Sequence, residues 1–223
     1  MGTDIHGVFQ RHDQSTNKWV DIPHNYEMHR HYQLFAVLAG VRNGTGFAGV
    51  KTGEAVTPIS EPRGYPDDFV SEAMDDEGEQ RDDLHPIASL EAMDPRRRKW
   101  HEAGEALVIW MGDHSHSWLT ADEMLAWYAT APVVLKTGIF DREDYERWDK
   151  KSPPDFGYCG GIGGPRVLLV NDNKVERDST PGWTHIRCEW QEGLREELAY
   201  FFDEVARLKA EHGNVRFVFG FDS

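Results

Sequence analysis

The sequence predicts an α+β fold: a single domain over 1–223 whose mixed or mainly antiparallel sheet is flanked by helices. An acidic, partly irregular insertion interrupts it at about 67–105. Three observations carry this expectation. Short alternating segments that read as strands stand near both ends of the chain, at 4–10 and 215–222. A long segment over 193–212 repeats Leu194, Leu198, Phe201, Val205 and Leu208 at helical spacing, and Gly213-Asn214 follow as a stop. No internal repeat and no Pro/Gly-rich linker divides the chain, and 223 residues can bury one substantial core.

The elements follow in order. Asp4 to Gln10 alternates, with Ile5 and Phe9 on one face and Asp4, His6 and Val8 on the other. A turn at 13–17 leads to a return strand at 18–22. Tyr32 to Val41 reads as a buried helix, closed by Arg42-Asn43-Gly44, with the arginine at the negative helix end. Residues 43–66 form a Gly/Pro-rich loop in which Pro62 and Pro66 brace Arg63. Ala106 to Met111 is an apolar run suited to a central strand. The block Gly112-Asp113-His114-Ser115-His116-Ser117-Trp118 then reads as a loop before a helix, which Thr120 and Glu123 open with a capping box. A short polar helix at 141–150, a glycine-rich loop at 156–165 and strands at 166–171 and 184–190 complete the chain.

Composition narrows the function classes. The net charge is −15, but residues 67–94 hold 11 Asp/Glu against Arg81 alone. The acidity is therefore mostly one segment, and direct binding of duplex DNA is unfavourable. No apolar stretch approaches the ~18 residues of a membrane span. The first residues carry neither a basic nor an apolar signal region, and Cys159 and Cys188 read as reduced thiols, so the expected location is cytoplasmic.

Two constellations could carry chemistry. His114 and His116 have His-x-His spacing, which on a regular strand puts both rings on one face. Asp4-x-His6 repeats the pattern. If the segments meet, Asp4, His6, His114 and His116 form an N/O set for a divalent metal such as zinc, manganese or magnesium. Structural capping by these histidines is the competing explanation, and metal-free acid/base or phosphate contact is a third. The second constellation is Arg42-Asn43 with Arg63, whose planar guanidinium groups suit phosphate. Ser115, Ser117 and Trp118 could add hydroxyl contacts and a stacking ring. No serine-nucleophile elbow is present, and the glycine loop at 157–164 lacks the Lys-Ser/Thr of a phosphate cradle.

The chain resembles a group of phage and prophage proteins of uncharacterised activity that open Met-Gly-Cys-Asp-Ile-His. The resemblance rests on 1–6, on Tyr32 to Asn43, on Pro58 to Pro66, on 112–120 and on 215–222. Thr3 stands where the group usually has Cys, which removes a thiolate, and Gly220 where it usually has an aromatic. The resemblance implies an infected bacterial cytoplasm and an accessory role in host takeover or counter-defence. The function expected is binding of a phosphate-bearing small molecule, such as a nucleotide second messenger, at Arg42, Asn43, Arg63, Ser115, Ser117 and Trp118. A metal-dependent hydrolase of a nucleotide phosphoester or glycosidic bond is the alternative. A protein–protein inhibitor that acts on a host protein through the acidic segment is a third reading, and assembly into homo-oligomers stays open.

Overall fold

The computed structural model describes residues 2–71, 84–85, 108–109 and 111–223. It is an α+β fold built on two larger sheets. In the first, β1 (Asp4–Asp13), β2 (Lys18–Asp21), β5 (His114–Thr120) and β9 (Val215–Asp222) are arranged β2-β1-β9-β5, every neighbour antiparallel. In the second, β6 (Val133–Asp141) pairs antiparallel with β8 (His185–Gly193), which pairs parallel with β7 (Leu169–Asn171). A separate pair joins β3 (Leu84–His85) to β4 (Val108–Ile109).

Alternation along the first sheet decides its packing. Ile5, Phe9, Leu119, Val215, Phe217, Phe219 and Phe221 all enter one core. Helix α1 (Tyr32–Ala39) packs there with Leu34 to Ala39 buried, as do Leu194 in α5 (Leu194–Glu197) and Phe201, Phe202, Val205 and Leu208 in α6 (Ala199–His212). The opposite face bears Asp4, His6, Gln10, Arg216, Gly220 and Asp222. There Arg216 is buried, stacked 4.1 Å from the Trp19 ring centre, and bonded to Asp68 and Gln10. The second sheet has its own core of Phe140, Tyr145, Trp148, Val170, Trp183, Ile186 and Trp190.

Several expectations need correcting. α1 ends at Ala39, because left-handed Gly40 (φ 70°) closes it with N–H bonds back to Phe35 and Ala36; Arg42 therefore lies beyond the helix end. Of the 106–111 run expected as a central strand, Ala106, Leu107 and Trp110 lie outside the described residues; Val108–Ile109 pair with Leu84–His85, and among the described residues the centre of the first sheet is β1 and β9. The helix over 193–212 breaks at Leu198 into α5 and α6. Residues 133–140, to which the sequence reading assigns no element, form with Asp141 the long strand β6. The capping box that opens α2 (Ala121–Ala129) and the strand over 215–222 are found as read from the sequence. Much of the acidic insertion, including 72–83 and 86–107, lies outside the described residues. Among the described residues, no helix is long and apolar enough to cross a membrane.

Candidate functional site

The block 112–120 is not a loop but largely β5 itself, an edge strand held on β9. Its start is irregular. The register shifts between His114 and Ser117, and Ser115 takes φ 52°. Such a bulge breaks the period of two, so His114 and His116 leave the strand on opposite sides. His114 pairs with Phe221 and its ring lies 6.1 Å from that ring, at the end of the core face. His116 turns to the other face, over Gly220 and against Tyr65 at 4.6 Å. A Cβ on Gly220 would sit 2.6 Å from His116 Cδ2 and 2.2 Å from the Met111 carbonyl oxygen. Glycine is what lets the imidazole lie there.

The four residues of the expected metal set are thus divided by the sheet. On one side, His6 Nε2 lies 3.3 Å from Asp222 Oδ2, and Asp4 receives two hydrogen bonds from Arg30, at 2.9 and 2.6 Å. That guanidinium holds the Asp4 carboxyl below its ordinary range. On the other, a chain of polar contacts runs from Arg42 Nε to Thr3 Oγ1 (2.8 Å), to Ser223 Oγ (2.9 Å) and to His114 Nε2 (3.0 Å); His114 Nδ1 meets Ser115 Oγ. Burial lowers the His114 pKa. His116, on the face of Asp4 and His6, has its Nε2 3.0 Å from the Gly112 carbonyl. Among the described residues, no three His, Cys, Asp or Glu side chains are grouped so as to hold a metal ion.

The expected arginine clamp is divided as well. The loop carrying Arg63 does reach β5: Gly64 N–H donates to the His116 carbonyl, and Arg63 N–H to Ser117 Oγ. The guanidinium, however, turns to Glu123 (2.6 and 3.2 Å), Ser60 and the Trp118 ring. These bonds, with those from Thr120, push the Glu123 pKa down to about 2. Asn43 clasps Val56 by both its amide groups and so braces the 43–56 loop. Arg63 and Arg42 have no partner in common among these contacts.

Arg42 belongs instead to a cleft of about 450 Å³. Arg30, His31, Tyr32 and Gln33 approach it from the start of α1, Gly44, Thr45 and Thr52 from the following loop, Lys136 from β6, Glu197 from α5, and Tyr158 from the glycine-rich loop. The second sheet reaches this place because Gly53 bridges Lys136 and Thr137 N–H donates to the Thr52 carbonyl. Helix α1 presents its N-terminus with no acidic residue in the first turn, capped by His31 Nδ1 accepting from Leu34 N–H at 3.3 Å. That end carries partial positive charge. Burial and the Lys136 charge hold the His31 pKa down at about 4, so its 3.8 Å approach to Glu197 joins a neutral imidazole to the carboxylate and is no ion pair.

Lys136 is buried, and Nζ donates to Gln33 Oε1 (2.7 Å) and Glu197 Oε1 (3.0 Å). Burial raises the Glu197 pKa and the ammonium opposes the rise. Burial with the nearby Glu192 and Glu197 pushes the Tyr158 hydroxyl up to about 12. Three buried polar atoms of the lining have no hydrogen-bond partner among the described residues: Tyr32 Oη, Gln33 Nε2 and Glu197 Oε2. Leaving such atoms unpaired costs about 1–3 kcal/mol each. Such groups call for a partner, which a bound water, an ion or a ligand can supply.

Sequence reasoning found Arg42 and missed the other members. Lys136 went unseen because β6 did, although a lone lysine inside Val133-Val134-Leu135-Lys136-Thr137-Gly138-Ile139-Phe140 is the mark of a buried cation. Arg30, Gln33 and Glu197 belong to no motif. No protein-family model, curated protein or solved structure matches the chain.

Proposed function

We propose that the protein binds a small phosphate-bearing molecule in the cleft between α1, the loop after it and the second sheet, as a phage accessory factor acting in host takeover or counter-defence. One observation carries the ligand class. In a chain of net charge −15, Arg42, the N-terminus of α1 with no acidic residue in its first turn, Arg30 (paired with Asp4) and Lys136 (paired with Glu197) meet at one cleft, whose lining also holds three buried polar atoms without a partner among the described residues. Guanidinium groups and a helix N-terminus are the standard phosphate-binding elements. The phage setting is supported by the sequence resemblance alone. The metal-assisted and inhibitor readings draw no comparable support, since the first lacks a convergent ligand set among the described residues and the second rests on a segment mostly outside them.

The test is thermal melting with inorganic phosphate, pyrophosphate and nucleoside monophosphates. A ligand at 100 times its Kd adds about 2.7 kcal/mol, which raises Tm by roughly 5–10 °C in a chain of this size. Arg42→Ala, by weakening binding about tenfold, should cut that rise by about half. If no phosphate-bearing probe shifts Tm, the reading fails.

A further inference from the structure

We propose that the ligand carries a guanine base, held at the inner end of the cleft by Lys136, Gln33 and Glu197 with the Tyr158 ring as its stacking surface. This rests on the phosphate-binding reading above and goes on to name the rest of the molecule. Lys136 is donor-only, so it fixes the Gln33 amide with Oε1 towards Nζ and turns Nε2 away as an available donor. Two of the three ammonium donors are used by Gln33 and Glu197. Glu197 gives Oε1 to Lys136 and keeps Oε2 as an unpaired buried acceptor.

The inner end therefore offers a lysine N–H, an amide N–H and a carboxylate oxygen around one ammonium. Guanine presents the complementary set along one edge: O6 and N7 accept, and N1–H donates, with the 2-amino group beside it. Adenine puts an amino group where guanine has O6, which would face the ammonium donor to donor. Uracil and cytosine lack N7. Inorganic phosphate can accept from the two N–H groups but has no fixed donor for the carboxylate and no ring to stack.

An aromatic platform is also present. Tyr158 lines the cleft, is 44% exposed, and is steadied by an edge contact with Trp190 at 4.8 Å. A base laid on it would have its sugar-phosphate directed to Arg30, Arg42 and the start of α1. The cleft's 450 Å³ admits one mononucleotide or one end of a larger nucleotide.

The experiment is calorimetric titration of the protein with GMP, AMP, UMP and inorganic phosphate. GMP should bind at least about tenfold more tightly than AMP or UMP, the discrimination of one good paired contact. In Glu197→Gln the GMP affinity should fall about tenfold with that for AMP within about twofold; Gln33→Leu should do the same by a change that leaves the Glu197–Lys136 pair in place. Tyr158→Ala should weaken the nucleotides and leave inorganic phosphate unchanged. AMP or UMP binding as tightly as GMP overturns the base assignment, and if Arg42→Ala still weakens that binding about tenfold the phosphate site stands without it. Binding of inorganic phosphate with no gain from any base has the same meaning. No binding by any probe removes both readings. Should Glu197→Gln fail to fold, Gln33→Leu and the wild-type series decide.

Discussion

The strand end around Asp4, His6, His114 and His116 and the cleft around Lys136 are both rich in polar side chains, and they use them in opposite ways. At the strand end, Asp4 is clasped by Arg30, His6 faces Asp222, His114 joins a chain of hydroxyls to Arg42, and His116 is seated on Gly220 against Tyr65. In the cleft, Tyr32, Gln33 and Glu197 each keep a buried atom unpaired. The first region uses its hydrogen bonds to join β1, β5, β9 and the loops; the second gathers three buried atoms without a partner among the described residues, where others such as Arg216 Nη2 and Arg177 Nε stand singly. A dense motif therefore marks the seam of the sheet, and residues with no motif mark the site.

The comparison breaks most visibly at Gly112. Its φ is +84°, and a Cβ there would stand 2.3 Å from the Phe221 backbone. Gly112→Ala should cost about 3 kcal/mol or more of stability, read from urea unfolding. A near-neutral result would mean that the strand end is not the rigid seam described.

A pH titration should separate the regions next. The folded pKa of His31 lies near 4, below its ordinary 6.5, so the unfolded chain takes up a proton that the folded one refuses. Stability should be full above pH 6.5, decline as pH falls from 6.5 towards 4, and level off below, with His31 accounting for about 3 kcal/mol. His24 and His114, also lowered by burial, add to the same slope. His31→Asn, which keeps a capping side chain, should remove its share; an unchanged slope would refute the buried neutral imidazole.

Smaller effects should come from the arginines. Arg42→Ala should weaken phosphate-ligand binding by about tenfold, or ~1.4 kcal/mol, with a smaller loss of stability. Glu123→Gln, which touches only the Arg63 brace and the capping box, should cost about 1 kcal/mol or less, because both charged groups are partly in water. It should leave ligand affinity unchanged. A matching loss of binding in Glu123→Gln would place Arg63 in the site after all.

Much of the fold was legible because local signals agreed with it. The alternation of Ile5 and Phe9, the Thr120–Glu123 box and the spacing of Leu194 to Leu208 each reported the face that is in fact buried. β6 escaped because Lys136 interrupts its apolar run and its partner strand is about fifty residues away in β8. The limits of α1 were misjudged because left-handed Gly40 already closes the helix, four residues before the left-handed Gly44 that the sequence pointed to. The site was legible only at Arg42. His-x-His spacing misled because a bulge, set by the pairing of Gly112 to Ser117 with β9, cannot be read from the spacing itself. The cleft was hidden for a related reason: it exists only once α1, α5 and the second sheet meet, and none of the three signals that meeting locally.

The pairing of β1 with β9 has a consequence for biosynthesis. Asp4 lies opposite Asp222 and Phe9 opposite Phe217, so the two middle strands of the first sheet are joined by contacts more than two hundred residues apart. During translation β1 leaves the ribosome long before its neighbour exists. Its apolar face, and the faces of β5 and α1 beside it, must wait for the segment 215–222 to emerge. Contacts of such separation slow folding. The waiting strand is exposed to chaperones and to pairing with other chains for the duration of synthesis.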